Sequence, residues 1–330
     1  MTQITIQDLR GTIRETTHSI SAAVVNLDGN TIATTGTADM VTFMRSAAKP
    51  LQALPLLKDG VVEKYEITDR ELALACASHN SEDYHVEVAR NFLSRLGFSE
   101  DDLACGPHST LRPELPPGAA NNDPKLIKPS RIASNCSGKH AGMLALAKFH
   151  DWEPAGYHLE GHPVQQRCLE EVADWCDYPA GKIDKAVDGC GVVTCGLPLT
   201  KMALGYARLV GQEGEHEKRI VSAMTAYPEL VAGTRRLCTD VMLAYPGSVI
   251  AKMGAGGVYL AAMIDKKLGI ALKAESGSRH ASQMALVRIL SQLGLGDIEQ
   301  KLPDYARPPI YNPRGELVGH SEVVGGLDFT

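Results

Sequence analysis

Strand-forming runs lie at both ends of this chain and helical periodicity fills its middle, so the two termini must meet in one sheet. Residues 21–27 are a run of β-branched residues and alanine, Asp28-Gly29-Asn30 supplies turn chemistry, and residues 31–35 return. That pattern predicts a hairpin. The C-terminal part repeats it: residues 248–253 and 258–264, an Asp265-Lys266-Lys267 corner, then 269–273. A further turn, Asn312-Pro313-Arg314-Gly315, separates Ile310-Tyr311 from residues 316–319. Between these ends the apolar spacing is helical. Leu169, Val172, Trp175 and Cys176 form one stripe, Ile220 and Met224 another, and residues 282–293 a strong one through Leu286, Ile289, Leu290 and Leu293. The predicted fold is α/β (α+β): an antiparallel sheet from both chain ends with packed helices and a largely helical central section. The expected division is residues 1–45 and 190–330 as the sheet region, and 46–189 as the helical section carrying much of the active site. Leu115-Pro116-Pro117-Gly118 and Arg307-Pro308-Pro309 read as loops.

Composition removes several functions. A chain of 330 residues with 33 Lys and Arg against 39 Asp and Glu carries a net charge of -6, which gives no drive towards nucleic acid or anionic membrane. No apolar run approaches the ~18 residues needed to cross a bilayer. The start, MTQITIQDLRG, has neither a basic region nor an apolar one of the export type. The expected location is therefore cytoplasmic, with the 8 cysteines mostly reduced. Cys76, Cys168 and Cys176 sit in apolar surroundings and read as core residues.

Three short motifs carry the candidate chemistry. In Arg45-Ser46-Ala47-Ala48-Lys49-Pro50, a helix opening near Ser46 sets the lysine over the same face as the hydroxyl. A serine becomes a nucleophile only when a neighbour takes its proton, and a lysine does so only when burial or nearby cations make its neutral form accessible. Pro50 works against that pairing because it disfavours helical dihedrals at Lys49. Downstream come Ser78-His79-Asn80 and Lys252-Met253-Gly254, which complete in order the S-x-x-K, S-x-N and K-x-G trio of β-lactamase-type serine acyl hydrolases. Lys252 falls in a predicted strand otherwise made of Val, Ile and Ala; its structural alternative is the solvent face of an edge strand. A second cluster joins Asn135-Cys136-Ser137-Gly138-Lys139-His140 to Asp188-Gly189-Cys190, where cysteines in small-residue loops can present thiolates to a metal or a substrate. There is no C-x-x-C and no H-E-x-x-H, so spacing alone does not define a metal site.

These blocks, with Cys76-Ala77-Ser78-His79 and Pro228-Glu229-Leu230-Val231-Ala232-Gly233, resemble the signatures of the class 3, rhizobial-type L-asparaginases, the asparaginase II family. The resemblance runs from Arg10-Gly11 to the Asn312-Pro313-Arg314-Gly315 turn. It implies a fold like that of serine β-lactamases, penicillin-binding proteins and glutaminases, hydrolysis of L-asparagine to L-aspartate and ammonia, and a homodimer. It also implies two serine–lysine tandems, Ser46 with Lys49 and Ser78 with Lys252, and a zinc ion held by Cys136, Lys139 and Cys190.

The mechanism expected on that basis is acyl transfer. Ser46, deprotonated by a neutral Lys49, attacks the side-chain amide, and Ser78 with Lys252 relays the proton to the departing ammonia. Arg45 and His140 are candidates for the substrate α-carboxylate, and Asp188 for the α-ammonium. The alternatives are a glutaminase or another β-lactamase-like amidohydrolase, a thiol enzyme using Cys136 or Cys190, and a non-catalytic zinc or amino-acid sensor.

Overall fold

The predicted hairpins form, and one long strand joins them. In a computed structural model describing residues 3–115 and 119–330, the strands are β1 (Thr5–Arg10), β2 (Ile13–Asn26), β3 (Thr31–Thr35), β4 (Val41–Phe43), β5 (Asp184–Val187), β6 (Val193–Pro198), β7 (Val249–Gly254), β8 (Val258–Met263), β9 (Leu268–Ala274), β10 (Pro309–Tyr311), β11 (Leu317–Val324) and β12 (Asp328–Phe329). Pro116, Pro117 and Gly118 of the expected proline-rich loop lie outside the described residues. The main sheet runs β10-β11-β1-β2-β9-β8-β7, with β3 on β2 and β12 on β3. Every pairing in it is antiparallel. β2 begins earlier than its apolar run because its first half pairs with β1, while its second half pairs with β9 and β3. The exposed first residues of β2, Ile13 to Thr17, are polar apart from Ile13 and so carry no strand periodicity. Backbone pairing along β1 decides that half.

Helices cover the sheet. Leu199–Gly211 packs on β2, β8 and β9, and Arg279–Gln292 packs on β1, β2, β8, β9 and β11. The closeness of the first helix fixes a residue type: a Cβ built on Gly269 of β9 would lie 1.8 Å from the Ala203 carbonyl oxygen and 2.5 Å from the Ala207 nitrogen. Only glycine permits that approach.

The helical section packs beside β7. It contains Lys49–Lys58, Asp69–Ala75, Asp83–Arg95, Ser137–Phe149 and Pro163–Trp175, and its β5 pairs with β6 from beyond the section in the small sheet β4-β6-β5. β4 and β6 pair residues near position 42 with residues near position 197, a connection that local periodicity does not reveal. Among the described residues no helix is long and apolar enough to cross a membrane.

Gly269→Ala forces backbone atoms apart and is expected to cost about 3 kcal/mol. Gly106→Ala, where an added Cβ meets nothing within 4 Å, is the control and should stay within about 0.5 kcal/mol in urea unfolding.

Candidate active site

Four segments converge at the inner end of β7, and each has a local reason for its path. Arg45 adopts φ 52°, a left-handed conformation costing a non-glycine residue about 1 kcal/mol or more. It is held there by its ion pair with Asp188, Nε to Oδ1 at 2.7 Å, while the Met44 N–H donates to the Cys195 carbonyl at 2.8 Å. That kink throws Ser46 into the first turn of the 3-10 helix Arg45–Ala48, half-buried and with a hydroxyl free of hydrogen bonds among the described residues. The α-helix Lys49–Lys58 follows at once. Pro50 is accepted in its first turn, and Lys49 is helical despite it, at φ -58° and ψ -39°.

The second segment is the end of helix Asp69–Ala75. A capping box fixes its start: the Glu71 N–H donates to Thr68 Oγ1 at 3.4 Å and the Thr68 N–H to Glu71 Oε2 at 2.8 Å. The helix ends at Cys76, and the Ser78 N–H then donates to the Val231 carbonyl at 2.9 Å, which ties it to the Pro228–Val231 turn. The third segment is the start of helix Ser137–Phe149. A Cβ on Gly138 would lie 2.2 Å from the Leu74 carbonyl oxygen, so glycine lets this helix start seat directly on the Asp69–Ala75 helix. Cys136 is thereby delivered to Lys49, and Lys139 to Cys190. The fourth is β7, where Lys252 is 1% exposed although β7 is an edge strand. Lys252 faces inward, against the solvent-face alternative.

At the centre, Ser78 Oγ lies 2.9 Å from Lys49 Nζ and 2.8 Å from Lys252 Nζ. The Ser78–Lys252 pair is formed as expected. Lys49 also turns to Ser78, and among the described residues it makes no side-chain hydrogen bond to Ser46. The reason is acceptor supply for a buried amine: Lys49 Nζ donates to the Ala77 carbonyl, to Ser78 Oγ and to Cys136 Sγ at 3.2 Å, one acceptor for each of its three protons. Lys252 Nζ has two neighbours, Ser78 Oγ and the Met253 carbonyl at 2.9 Å. That suits a neutral amine, which donates to the carbonyl and accepts from the hydroxyl. Burial, reinforced by the charge of Lys49, pushes Lys252 down to about 7. Lys252 is thus an amine whose neutral form is accessible near neutral pH.

The other expected residues form two groups. Cys136, Lys139, His140 and Cys190 make a thiol cluster: Lys139 Nζ lies 3.0 Å from Cys190 Sγ, Cys136 Sγ donates to Asn135 Oδ1 at 2.8 Å, and both Cys136 and His140 act electrostatically on Cys190. Cys190 is held far below the usual thiol range by its interaction with Cys136 and, against the opposing effect of burial, by the Lys139 charge. His140 meets the Tyr157 hydroxyl through Nδ1 at 2.6 Å, and burial pushes it down to about 4. It sits buried within the thiol cluster. Arg45 and Asp188 form the second group, paired to each other and partly exposed. Cys76 and Cys168 are buried core thiols pushed up to about 12 by desolvation, and Cys176 is raised by the same cause. All the cysteines are free.

Arg236, which no motif marks, closes the site from below: its Nη1 donates to the Ser78 carbonyl at 3.2 Å and to Asn80 Oδ1 at 2.9 Å. The asparagine of the S-x-N motif therefore serves Arg236, and its Nδ2 donates to the Thr234 carbonyl at 2.9 Å.

Residues 6–323 match the model of the L-asparaginase II family. The search of curated proteins finds no match. Among solved structures the chain is similar to Mglu in its native form, at 16% identity over 83% of this chain and 63% of that one, with a TM-score of 0.47. It is similar also to a β-lactamase from Mycobacterium bovis, at 13% identity over 87% of this chain and 94% of that one, TM-score 0.42. A third is the octameric penicillin-binding protein homologue from Pyrococcus abyssi, at 13% identity over 87% and 75% of the two chains, TM-score 0.45. The chain spans less than two thirds of the length of the Mglu structure.

Because Lys252 has a folded pKa of about 7 against an ordinary value of 10.5, the unfolded chain binds the extra proton between those pH values, and stability rises with pH across that window. Wild type minus Lys252→Met, measured by urea unfolding at pH 7, 8 and 9, should show this rise, up to about 1.4 kcal/mol per pH unit. A flat difference would mean that Lys252 is protonated in the fold.

Proposed function

We propose that this chain, which belongs to the L-asparaginase II family, is an amidohydrolase that cleaves L-asparagine to L-aspartate and ammonia through a serine acyl-enzyme. The observation carrying the reading is the Ser78 hydroxyl held between two buried amines, Lys49 and Lys252. Neither a binding protein nor a sensor needs a neutral amine against a hydroxyl.

Exposure assigns the two serines. Ser46 is half-buried with an unbonded hydroxyl, whereas Ser78 is 2% exposed. Ser46 attacks the amide carbon; its proton passes by way of Ser78 to the free lone pair of Lys252. Lys49, donating to Ser78 Oγ, stabilises negative charge developing on that oxygen. The amide oxygen becomes an oxyanion, for which the Ser46 N–H in the first turn of its helix, without an intrahelical acceptor, is a ready donor. Lys252 then returns the proton through Ser78 to the leaving ammonia, and water hydrolyses the ester.

Arg45 and Asp188 suit the two ends of an α-amino acid. Their contact uses Arg45 Nε and Asp188 Oδ1, leaving the Arg45 Nη groups for an α-carboxylate and Asp188 Oδ2 for an α-ammonium.

The zinc implied by the family resemblance would be held by Cys136, Lys139 and Cys190. Among the described residues no trio of His, Cys, Asp or Glu side chains forms a metal site, so the fit depends on the lysine. The donors are consistent with it: Cys190 is poised as a thiolate beside Lys139, and His140 Nε2 is buried without a hydrogen bond of normal geometry. A bound zinc ion would supply fixed positive charge near the substrate. Binding it requires Lys139 to lose its proton, so zinc uptake, measured by calorimetry, should strengthen steeply as pH rises and weaken at least tenfold in Cys136→Ala.

The kinetic test is ammonia release from asparagine and glutamine side by side. Asparagine should be preferred by about 1 to 3 kcal/mol in kcat/KM, the worth of one methylene in a shaped pocket. Ser46→Ala and Ser78→Ala should each lose roughly a thousandfold or more in kcat. The acid limb of kcat/KM should fall near pH 7, since the reaction needs neutral Lys252, and activity should rise with pH through that value. Wild-type turnover by Ser46→Ala would reject the assignment. Peptide mapping that finds the acyl group on Ser78 would move attack to that serine.

A further inference from the structure

Arg236 is the largest fully buried side chain among the described residues, 1% exposed, and no carboxylate lies within ion-pair distance of it. Burying an arginine without a counter-ion is costly, and its contacts show what it secures. Nη1 holds the Ser78 carbonyl at 3.2 Å and Asn80 Oδ1 at 2.9 Å, while Nη2 reaches Met253 Sδ at 3.8 Å. One rigid planar group therefore touches both the loop segment bearing Ser78 and the residue after Lys252. Arg236 stands at the start of helix Leu237–Ala244, which itself packs on β7, so the guanidinium is anchored to the element behind the site.

We propose that Arg236 is a positioning residue for the acyl-transfer site: its guanidinium locks the Ser78 segment to the Lys252 segment of β7, and its positive charge disfavours a third proton on the amine that faces Ser78. The inference rests on the proposed role of Lys252 as the proton acceptor. The groups facing Lys252 from the surrounding elements are Lys49, Arg236, Cys238, Cys136 and Cys76. Lys49 and Arg236 are the cations among them, and both oppose a charge on Lys252. Burial is the larger cause and Lys49 the next, so removing Arg236 should restore part of the ordinary basicity.

The experiment follows the lysine side chain directly. In full-length protein carrying 13Cε-lysine, the Lys252 signal is identified by its loss in Lys252→Met and titrated in wild type, Arg236→Gln and Arg236→Lys, with kcat and KM for asparagine measured in parallel. Arg236→Gln keeps hydrogen-bond donors but removes the charge. Its Lys252 midpoint should rise by roughly half to one pH unit, and the acid limb of kcat/KM should rise with it. Arg236→Lys keeps the charge and loses the fork; its midpoint should stay with wild type while kcat falls about tenfold and KM changes little. A Gln variant with the wild-type midpoint overturns the proposal, as does a Lys variant whose midpoint moves like that of the Gln variant. Should Arg236→Gln fail to fold, the Lys variant alone decides: wild-type kcat contradicts the positioning role, and reduced kcat at an unchanged midpoint supports it. Wild type that titrates as expected but releases no ammonia from asparagine would reject the substrate reading and leave the Arg236 comparison standing, because the NMR midpoint does not depend on turnover.

Discussion

Two lysine side chains, each 1% exposed, share one serine hydroxyl, and that arrangement sets the terms for everything around it. Two ammonium groups on one oxygen, out of contact with water, repel each other strongly in a medium of low polarisability. One of them yields its proton, and the hydrogen-bond pattern identifies which. Lys49 has an acceptor for each of its protons, whereas Lys252 has one carbonyl and one hydroxyl. A base is obtained at neutral pH without a histidine or a carboxylate. The cost is the burial of two amines and an arginine, which the helices and β7 must hold in place.

The fold is organised to hold them. Lys252 comes from β7, the last strand of a sheet whose order alternates between the two ends of the chain, so it is fixed by pairings along the entire sheet. Lys49 begins a helix, Ser78 follows the end of another, and Cys136 caps the start of a third. Helix ends and strand ends are the places where a backbone leaves its own hydrogen-bond pattern, and they are natural positions for groups that serve another molecule. The tight seat of Gly138 on the Leu74 carbonyl and the ion pair of Arg45 with Asp188 are the contacts that bring those ends together.

Much of this was legible in the chain. The hairpins around residues 28–30 and 265–267 follow from β-branched runs interrupted by turn residues, and both formed. The helical stripes through Leu169 and Val172 and through Leu286 and Ile289 are buried as their spacing predicts. Lys252 was legible too, because a lysine among Val, Ile and Ala in a strand calls for a partner. The partner of Lys49 was not. An S-x-x-K spacing puts two residues on one helix face but says nothing of acceptors supplied by Ala77 and Cys136 from other segments. Arg236 was invisible for the same reason: its partners, Ser78, Asn80 and Met253, are distant in sequence. The pairing of β4 with β6 and the left-handed kink at Arg45 also depend on long-range contacts.

The central claim is that Lys252 carries no charge while it faces Ser78, and neutron diffraction from deuterium-exchanged crystals at pH 8 reads that most directly. The account predicts two deuterons on Lys252 Nζ and the Ser78 hydroxyl deuteron directed towards it. Three deuterons on Lys252 Nζ, with the Ser78 deuteron turned elsewhere, would contradict it.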